Sequence, residues 1–128
     1  MNYFITSILS LFIVFNVLLS IPFKQVEDAF SRGDASRIIA LGTPKMIISI
    51  EGTEGIYSKP QGTQVLNNFF RSNPPKNFKY EFKGNFDSAT DFVIASYQSR
   101  KKYRITIKFK EINSNYLIES LTIVAVAD

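Results

Sequence analysis

The 128 residues carry 15 lysines and arginines against 11 acids, with 12 phenylalanines and 6 tyrosines but no cysteine, histidine or tryptophan. That length suits one domain with a real core and not two. The missing residue types exclude disulfides, thiolate chemistry, cysteine or histidine metal sites and the usual neutral-pH acid–base group, so neither a metal nor a cofactor is expected, and the net charge of +4 fits an anionic partner or plain solubility.

Met1 to Ser20 contains no charged side chain and is almost uniformly apolar, and the first lysine follows at Lys24. Such a stretch is an export signal or a membrane anchor rather than core. About 20 apolar residues just span a bilayer, so an uncleaved anchor also fits. The positive n-region is reduced to the amino terminus, and Ser20 is the best small residue for cleavage. The expected organisation is therefore residues 1–20 as signal peptide or anchor and 21–128 as one domain. Its address is the periplasm, the outer membrane or the medium, with an inner-membrane anchor as the alternative.

Two short helices follow. Pro22 opens the first, Phe23, Val26 and Phe30 repeat at helical spacing, and Gly33 suits a left-handed close. Asp34 can cap the second, which carries Ile38, Ile39 and Leu41 and stops at Gly42-Thr43-Pro44. Met46 to Ile50 reads as a short strand and Glu51 to Gly55 as a loop. The next helix has the clearest punctuation. Ser58 and Gln61 stand at capping-box spacing, Pro60 falls in the first turn, and Val65, Leu66, Phe69 and Phe70 form one stripe. Asn73-Pro74-Pro75 ends it, because a residue before proline leaves helical geometry.

From Asn77 the period becomes two. Phe78, Tyr80 and Phe82 alternate with Lys79, Glu81 and Lys83, and Asn85 to Ala89 is a turn, with Asp87 and Asp91 flanking a turn as turn formers. Phe92 to Tyr97 is a strand with little polar alternation, and Ser99 to Lys102 a basic turn. Tyr103, Ile105, Ile107 and Phe109 alternate with Arg104, Thr106, Lys108 and Lys110. A hairpin turn at Asn113-Ser114-Asn115 leads to a last strand, Tyr116 to Val126. The fold class is α+β, in the order α-α-β-α-β-β-β-β.

That order resembles the nuclear-transport-factor-2-like superfamily, whose curved antiparallel sheet wraps over helices into a cone. Four pieces are similar to a small exported bacterial family known only as a domain of unknown function. They are Phe30-Ser31-Arg32-Gly33-Asp34, Gly55-Ile56-Tyr57-Ser58-Lys59, Phe69-Phe70-Arg71-Ser72-Asn73-Pro74-Pro75 and Tyr116-Leu117-Ile118. The resemblance covers about Pro22 to Val124. It implies a fold and an exported address but no activity, since the superfamily includes isomerases, dehydratases, cyclases and members without a known reaction.

Three candidate sites follow. As in catalytic branches of the superfamily, a base could sit inside the cone; with no histidine it must be a carboxylate raised by burial. Glu119 is the candidate, in register with Leu117, Leu121 and Ile123, and the competing reading leaves it solvated on an outer face. Second, Phe69, Phe70, Phe78, Tyr80, Phe82, Ile105, Ile107 and Phe109 either line a cavity for an apolar small molecule or simply fill the core. Third, Lys79, Lys83, Arg104, Lys108 and Lys110, near Arg100, Lys101 and Lys102, form a basic sheet face for phospholipid headgroups or anionic glycans, or merely a solvated one. No nucleic-acid motif is present.

Loss of alternation in the strands at Phe92 and Tyr116 asks for cover on the convex side, which a homodimer would supply. Small residues such as Ala95 and Ala125 equally suit a monomer. The function expected is an exported binding domain without chemistry, with a small-molecule isomerase or cyclase-like lyase as the alternative. The mature chain is expected to begin near Ile21. Intact-mass measurement on the native protein checks this: Met1 retained in a membrane fraction selects the anchor, and Met1 retained in the cytosol excludes both addresses.

Overall fold

In the computed structural model, which describes residues 21–84 and 91–127, Ser58 closes the capping box its spacing predicts. Its Oγ accepts the Gln61 amide, and Gln61 Oε1 accepts the Ser58 amide. With two orphan amides satisfied and Pro60 in the first turn, helix α3 (Lys59–Ser72) begins there. Before it stand α1 (Phe23–Arg32) and α2 (Ala35–Ala40). Gly33 closes α1 at φ 64°, a left-handed conformation glycine adopts without a Cβ clash, and the Asp34 side chain accepts the Arg37 amide to start α2. Residues 1–20, expected to be a signal peptide or anchor, the turn expected at Asn85 to Ala89 and Asp87 within it lie outside the described residues.

The strands are β1 (Gly42–Ile50), β2 (Thr53–Ser58), β3 (Asn77–Lys83), β4 (Phe92–Gln98), β5 (Lys102–Ile112) and β6 (Asn115–Ala125). They form one sheet in the order β2-β1-β6-β5-β4-β3. Its inner face packs on the helices. Tyr97, Tyr103, Ile105, Ile107, Phe109, Ile118, Leu121 and Ile123 meet Val26, Phe30, Ile38, Leu66, Phe69 and Phe70 in one continuous core. The aromatic rings interlock: Phe30 stacks on Phe78 at 5.1 Å, and Phe69 meets Tyr103 edge-on at 5.2 Å. Gly62 lets α3 approach α2, since a Cβ there would stand 3.0 Å from Ile39 Cδ1.

The α+β cone stands, with an added strand, a parallel pairing in place of an all-antiparallel sheet, a longer β1 and two shifts of phase. Glu51 to Gly55 is not a loop. Glu51 and Gly52 both have positive φ and make a two-residue hairpin turn, and the chain then runs on as β2. The segment Thr53–Ser58 has too few apolar residues to show a period of two, so an edge strand there is set by its pairing with β1. The sheet is mixed, because β1 runs parallel to β6. Strand β1 also starts earlier, at Gly42, with Pro44 in the irregular stretch between the paired Gly42 and Ile47, where the lost ladder donor is tolerated.

The phase shifts are β-bulges, each adding one residue that turns every later side chain to the other face. In β3 the pairing steps from Tyr80↔Ala95 to Phe82↔Ile94, leaving Glu81 extra. Phe82 therefore points outward and Lys83 inward, the reverse of what strict alternation predicts. In β6 the pairing steps from Ser120↔Lys108 to Ile118↔Phe109, leaving Glu119 extra. Leu117 and Leu121 thus lie on opposite faces, and the single face of Leu117, Glu119, Leu121 and Ile123 does not form.

Phe69 and Phe70 are both nearly fully buried. Truncating either to alanine is expected to cost about 3–5 kcal/mol, a large part of a small domain's total. Chemical denaturation measures it, and an unchanged midpoint for both variants would refute this packing.

Candidate functional site

The inner face comes first, because it holds most of the residues proposed to line a pocket. Phe69, Phe70, Phe78, Ile105, Ile107 and Phe109 are buried against one another and against the helices. Tyr80 is partly buried, edge-on to Phe23 at 5.7 Å and to Phe78 at 5.1 Å. Phe82 leaves this group and is 50% exposed on the outer face. The space between helices and sheet is thus occupied by the side chains themselves.

Polar groups at the rim of that interior are tied to backbone carbonyls and to the Asn73 side chain. Tyr97 donates its hydroxyl to the Asn73 carbonyl at 2.5 Å, Tyr103 to Asn73 Oδ1 at 2.8 Å, and Tyr80 to the Phe23 carbonyl at 2.6 Å. Burial pushes the Tyr80 and Tyr97 phenols well above their ordinary value, with the Glu27 carboxylate adding to it at Tyr80 and Tyr103 at Tyr97. Neutral phenols that donate to carbonyls hold structure together. None of the three hydroxyls is left to polarise a substrate.

The proposed carboxylate, Glu119, is partly buried at the β6 bulge. Asp91, just before β4, gives its backbone carbonyl to the Phe109 amide at 2.7 Å. Among the described residues no group of three or more acidic side chains gathers into a metal-holding cluster.

The outer, convex face is organised by register. Lys102, Arg104, Lys108 and Lys110 are exposed at every second position of β5, apart from Thr106. Arg104 stands opposite Ser96, and Ser96 opposite Lys79, so Lys79 joins the row across β4. Lys108 stands between Phe92 on one side and Ser120 on the other. Glu81, Ser96 and Arg104 line one small depression, so the β3 bulge brings one acid to this face. Lys83 is absent from it. Its Nζ lies 4.5 Å from the Phe23 ring centre and 5.2 Å from that of Tyr80 on the inner side, in cation–π range. Apolar side chains accompany the cations. Phe82 and Phe92 meet at 5.5 Å, and Val124, opposite Arg104, is 45% exposed.

Cavities of moderate size also mark the surface. One of about 340 Å³ between α1 and α2 is lined by Lys24, Asp28, Arg32, Asp34 and Arg37, mixed in sign and with Asp34 already engaged as a helix cap. Another, of about 360 Å³, lies where Pro22 and Leu41 meet Ile112, Tyr116 and Leu117. Neither the second cavity nor the outward Phe82 was visible in the alternation. The three consecutive apolar residues Tyr116-Leu117-Ile118 were the one signal of a phase change, whereas Lys79 to Lys83 alternates without fault across its bulge.

With this geometry in view, known proteins can be compared. The profile of a family described as a domain of unknown function, DUF4783, matches residues 23–124. Among solved structures, a DUF4783 family protein from Bacteroides ovatus is similar at a TM-score of 0.77 and 24% identity, over 84% of this chain and 97% of that one. A domain of unknown function with a cystatin-like fold from Nostoc punctiforme gives 0.63 and 12%, over 83% and 74%. An NTF-2-like protein of unknown function from Silicibacter pomeroyi gives 0.57 and 8%, over 81% and 89%. These likenesses show the fold. No curated protein matches the chain.

The raised phenols set an alkaline limit on stability. Their unfolded pKa is about 10, and the folded values lie above it for Tyr80 and Tyr97. The stabilisation is complete below pH about 10 and is lost as pH rises toward the folded values. Denaturation midpoints are therefore expected to fall steeply above pH about 10. Tyr97→Phe should flatten that decline, and a midpoint independent of pH in that range would contradict the burial of these phenols.

Proposed function

The chain belongs to the DUF4783 family, and we propose that its domain is an exported binding module without chemistry of its own, whose convex sheet face takes an anionic partner. The observation that carries this reading is the division between the two faces. Inside, the side chains proposed for a pocket are buried among themselves and the tyrosine hydroxyls are bonded to Asn73 and Phe23. Outside, Lys79, Arg104, Lys108 and Lys110 stand exposed on a rigid sheet with a known spacing. A face on which cations outnumber acids, Glu81 included, attracts anions through its summed field.

A lyase or isomerase would use a carboxylate that burial keeps partly protonated, placed beside a substrate cavity. Glu119 stands at a bulge and does not share the core face of Leu121 and Ile123, which favours the binding reading over that one.

Retention of residues 21–128 on immobilised dextran sulfate tests the proposal. Exposed charges are screened beyond about 8 Å at physiological ionic strength, so elution should move with salt. Replacing Lys79, Arg104 and Lys108 by glutamine should lower the eluting salt concentration sharply while leaving stability within about 0.5 kcal/mol of the parent. Equal elution of parent and triple variant would reduce the face to ordinary solvated surface.

A further inference from the structure

We infer that the anionic partner is a lipid surface and that the Phe82–Phe92 pair enters its interface. This rests on the reading of the convex face as an anion-binding face and names what occupies it.

The first observation is an apolar pair among cations. Phe82 is 50% exposed on β3, at the edge of the sheet, and its ring lies 5.5 Å from that of Phe92. Phe92 is paired with Lys108. Aromatic rings beside basic side chains suit a membrane interface, where the ring meets the acyl boundary and the cation the headgroups.

The second is position. Strands β3 and β5 run in the same direction, each antiparallel to β4, and β6 runs back along β5. The end of β3 at Phe82, the start of β4 at Phe92, the end of β5 at Lys110 and the start of β6 at Leu117 therefore lie at one end of the sheet. Pro22 lies there too, sharing a cavity with Ile112, Tyr116 and Leu117. The twenty uncharged residues Met1 to Ser20 join the domain just before Pro22. Where that segment is retained as an anchor, it holds this end of the domain at the bilayer, and where it is cleaved, this end is the one the new amino terminus marks.

The third is the fit of other occupants. A soluble polyanion neutralises the cations but leaves Phe82 in water. A second copy on a twofold axis through the centre of this face would set the basic row of β5 against itself, since such an interface opposes the same patch on both subunits. An anionic lipid surface satisfies the cations and the rings together.

Residues 21–128 hold the core formed by the described residues, and the Bacteroides ovatus chain is matched over 97% of its length by this fold, so the fragment is suitable for the test. Co-sedimentation is measured with vesicles of phosphatidylcholine alone and with phosphatidylglycerol added, and retention on dextran sulfate in parallel. The fragment should sediment only with the mixed vesicles. Phe82→Ser should weaken that partition about tenfold and leave dextran sulfate retention unchanged. The chain has no tryptophan, so Phe82→Trp supplies a single reporter. Its emission should shift to the blue on the mixed vesicles, while Ile56→Trp on the opposite edge strand should not shift. Retention on dextran sulfate without vesicle binding overturns the lipid inference and leaves the anionic reading standing. Failure to bind either removes both. Vesicle binding with an unshifted Phe82→Trp, or a dimer in sedimentation equilibrium that Val124→Lys splits and that excludes vesicles, also overturns it.

Discussion

Asn73 is the junction on which the fold depends. As α3 ends, its last carbonyls have no helical partner, and Asn73 answers one of them twice: its backbone amide and its Nδ2 both donate to the Phe69 carbonyl. Its own carbonyl accepts from Tyr97 on β4, and its Oδ1 accepts from Tyr103 on β5. The side chain of an aspartate could not donate to Phe69, and that of a serine could not reach both. The next residues continue the join, with the Pro74 carbonyl accepting from Ser99 and the Lys76 amide donating to Gln98. Pro75 then packs under Gly33, where a Cβ would stand 3.3 Å from its ring. The end of α1, the end of α3 and two central strands are thereby fixed around one side chain. That is the physical content of two of the sequence pieces that carried the family resemblance: they touch.

The second constraint is the pair of bulges. Each removes one residue from the ladder, and both extra residues are glutamates, Glu81 and Glu119. A charged side chain left over at a bulge has no cross-strand partner of its own and is free of the alternation around it. In β6 the shift lets Ile118 share the core with Leu121 and Ile123 while Leu117 goes outward beside Lys110. The convex face owes its composition to these two irregularities as much as to the regular strand β5.

Much of the architecture was legible because the signals were local. Ser58 and Gln61 marked a helix start, Gly33 and Asp34 a helix junction, and Tyr103 to Phe109 an amphipathic strand, and each is governed by residues within a few positions of it. What escaped notice is set by partners far away in sequence. Strand β2 exists through its pairing with β1, the direction of β1 against β6 through the sheet order, and the two bulges through a register that alternation cannot encode. The candidate site divides in the same way. The β5 row Arg104, Lys108 and Lys110 was visible, whereas Lys83 and Phe82 exchanged faces and Glu119 left the face its spacing suggested. Neither Tyr97 nor Tyr103 gave a sign of its partner Asn73, because a hydroxyl tied to a carbonyl 24 residues away, or to an amide oxygen 30 away, leaves no pattern in the chain.

The exchange at Glu81 bears most directly on function. Without the bulge, Phe82 would point inward toward the aromatic group of Phe23, Phe78 and Tyr80, and Lys83 would join the outer cations. That arrangement would expose less apolar surface. The structure has the reverse: the lysine covers Phe23 and Tyr80 on the inside, and the phenylalanine stands half in water. Burying such a side chain is worth about 1.5–3 kcal/mol, a sizeable part of the roughly 5–15 kcal/mol by which small domains are stable. Core packing does not require the sacrifice, since a straight strand would place an apolar residue inside at that level. A partner on the convex face that takes up Phe82 recovers the lost burial on binding, and it does so only if its chemistry accepts a ring and a row of cations at once.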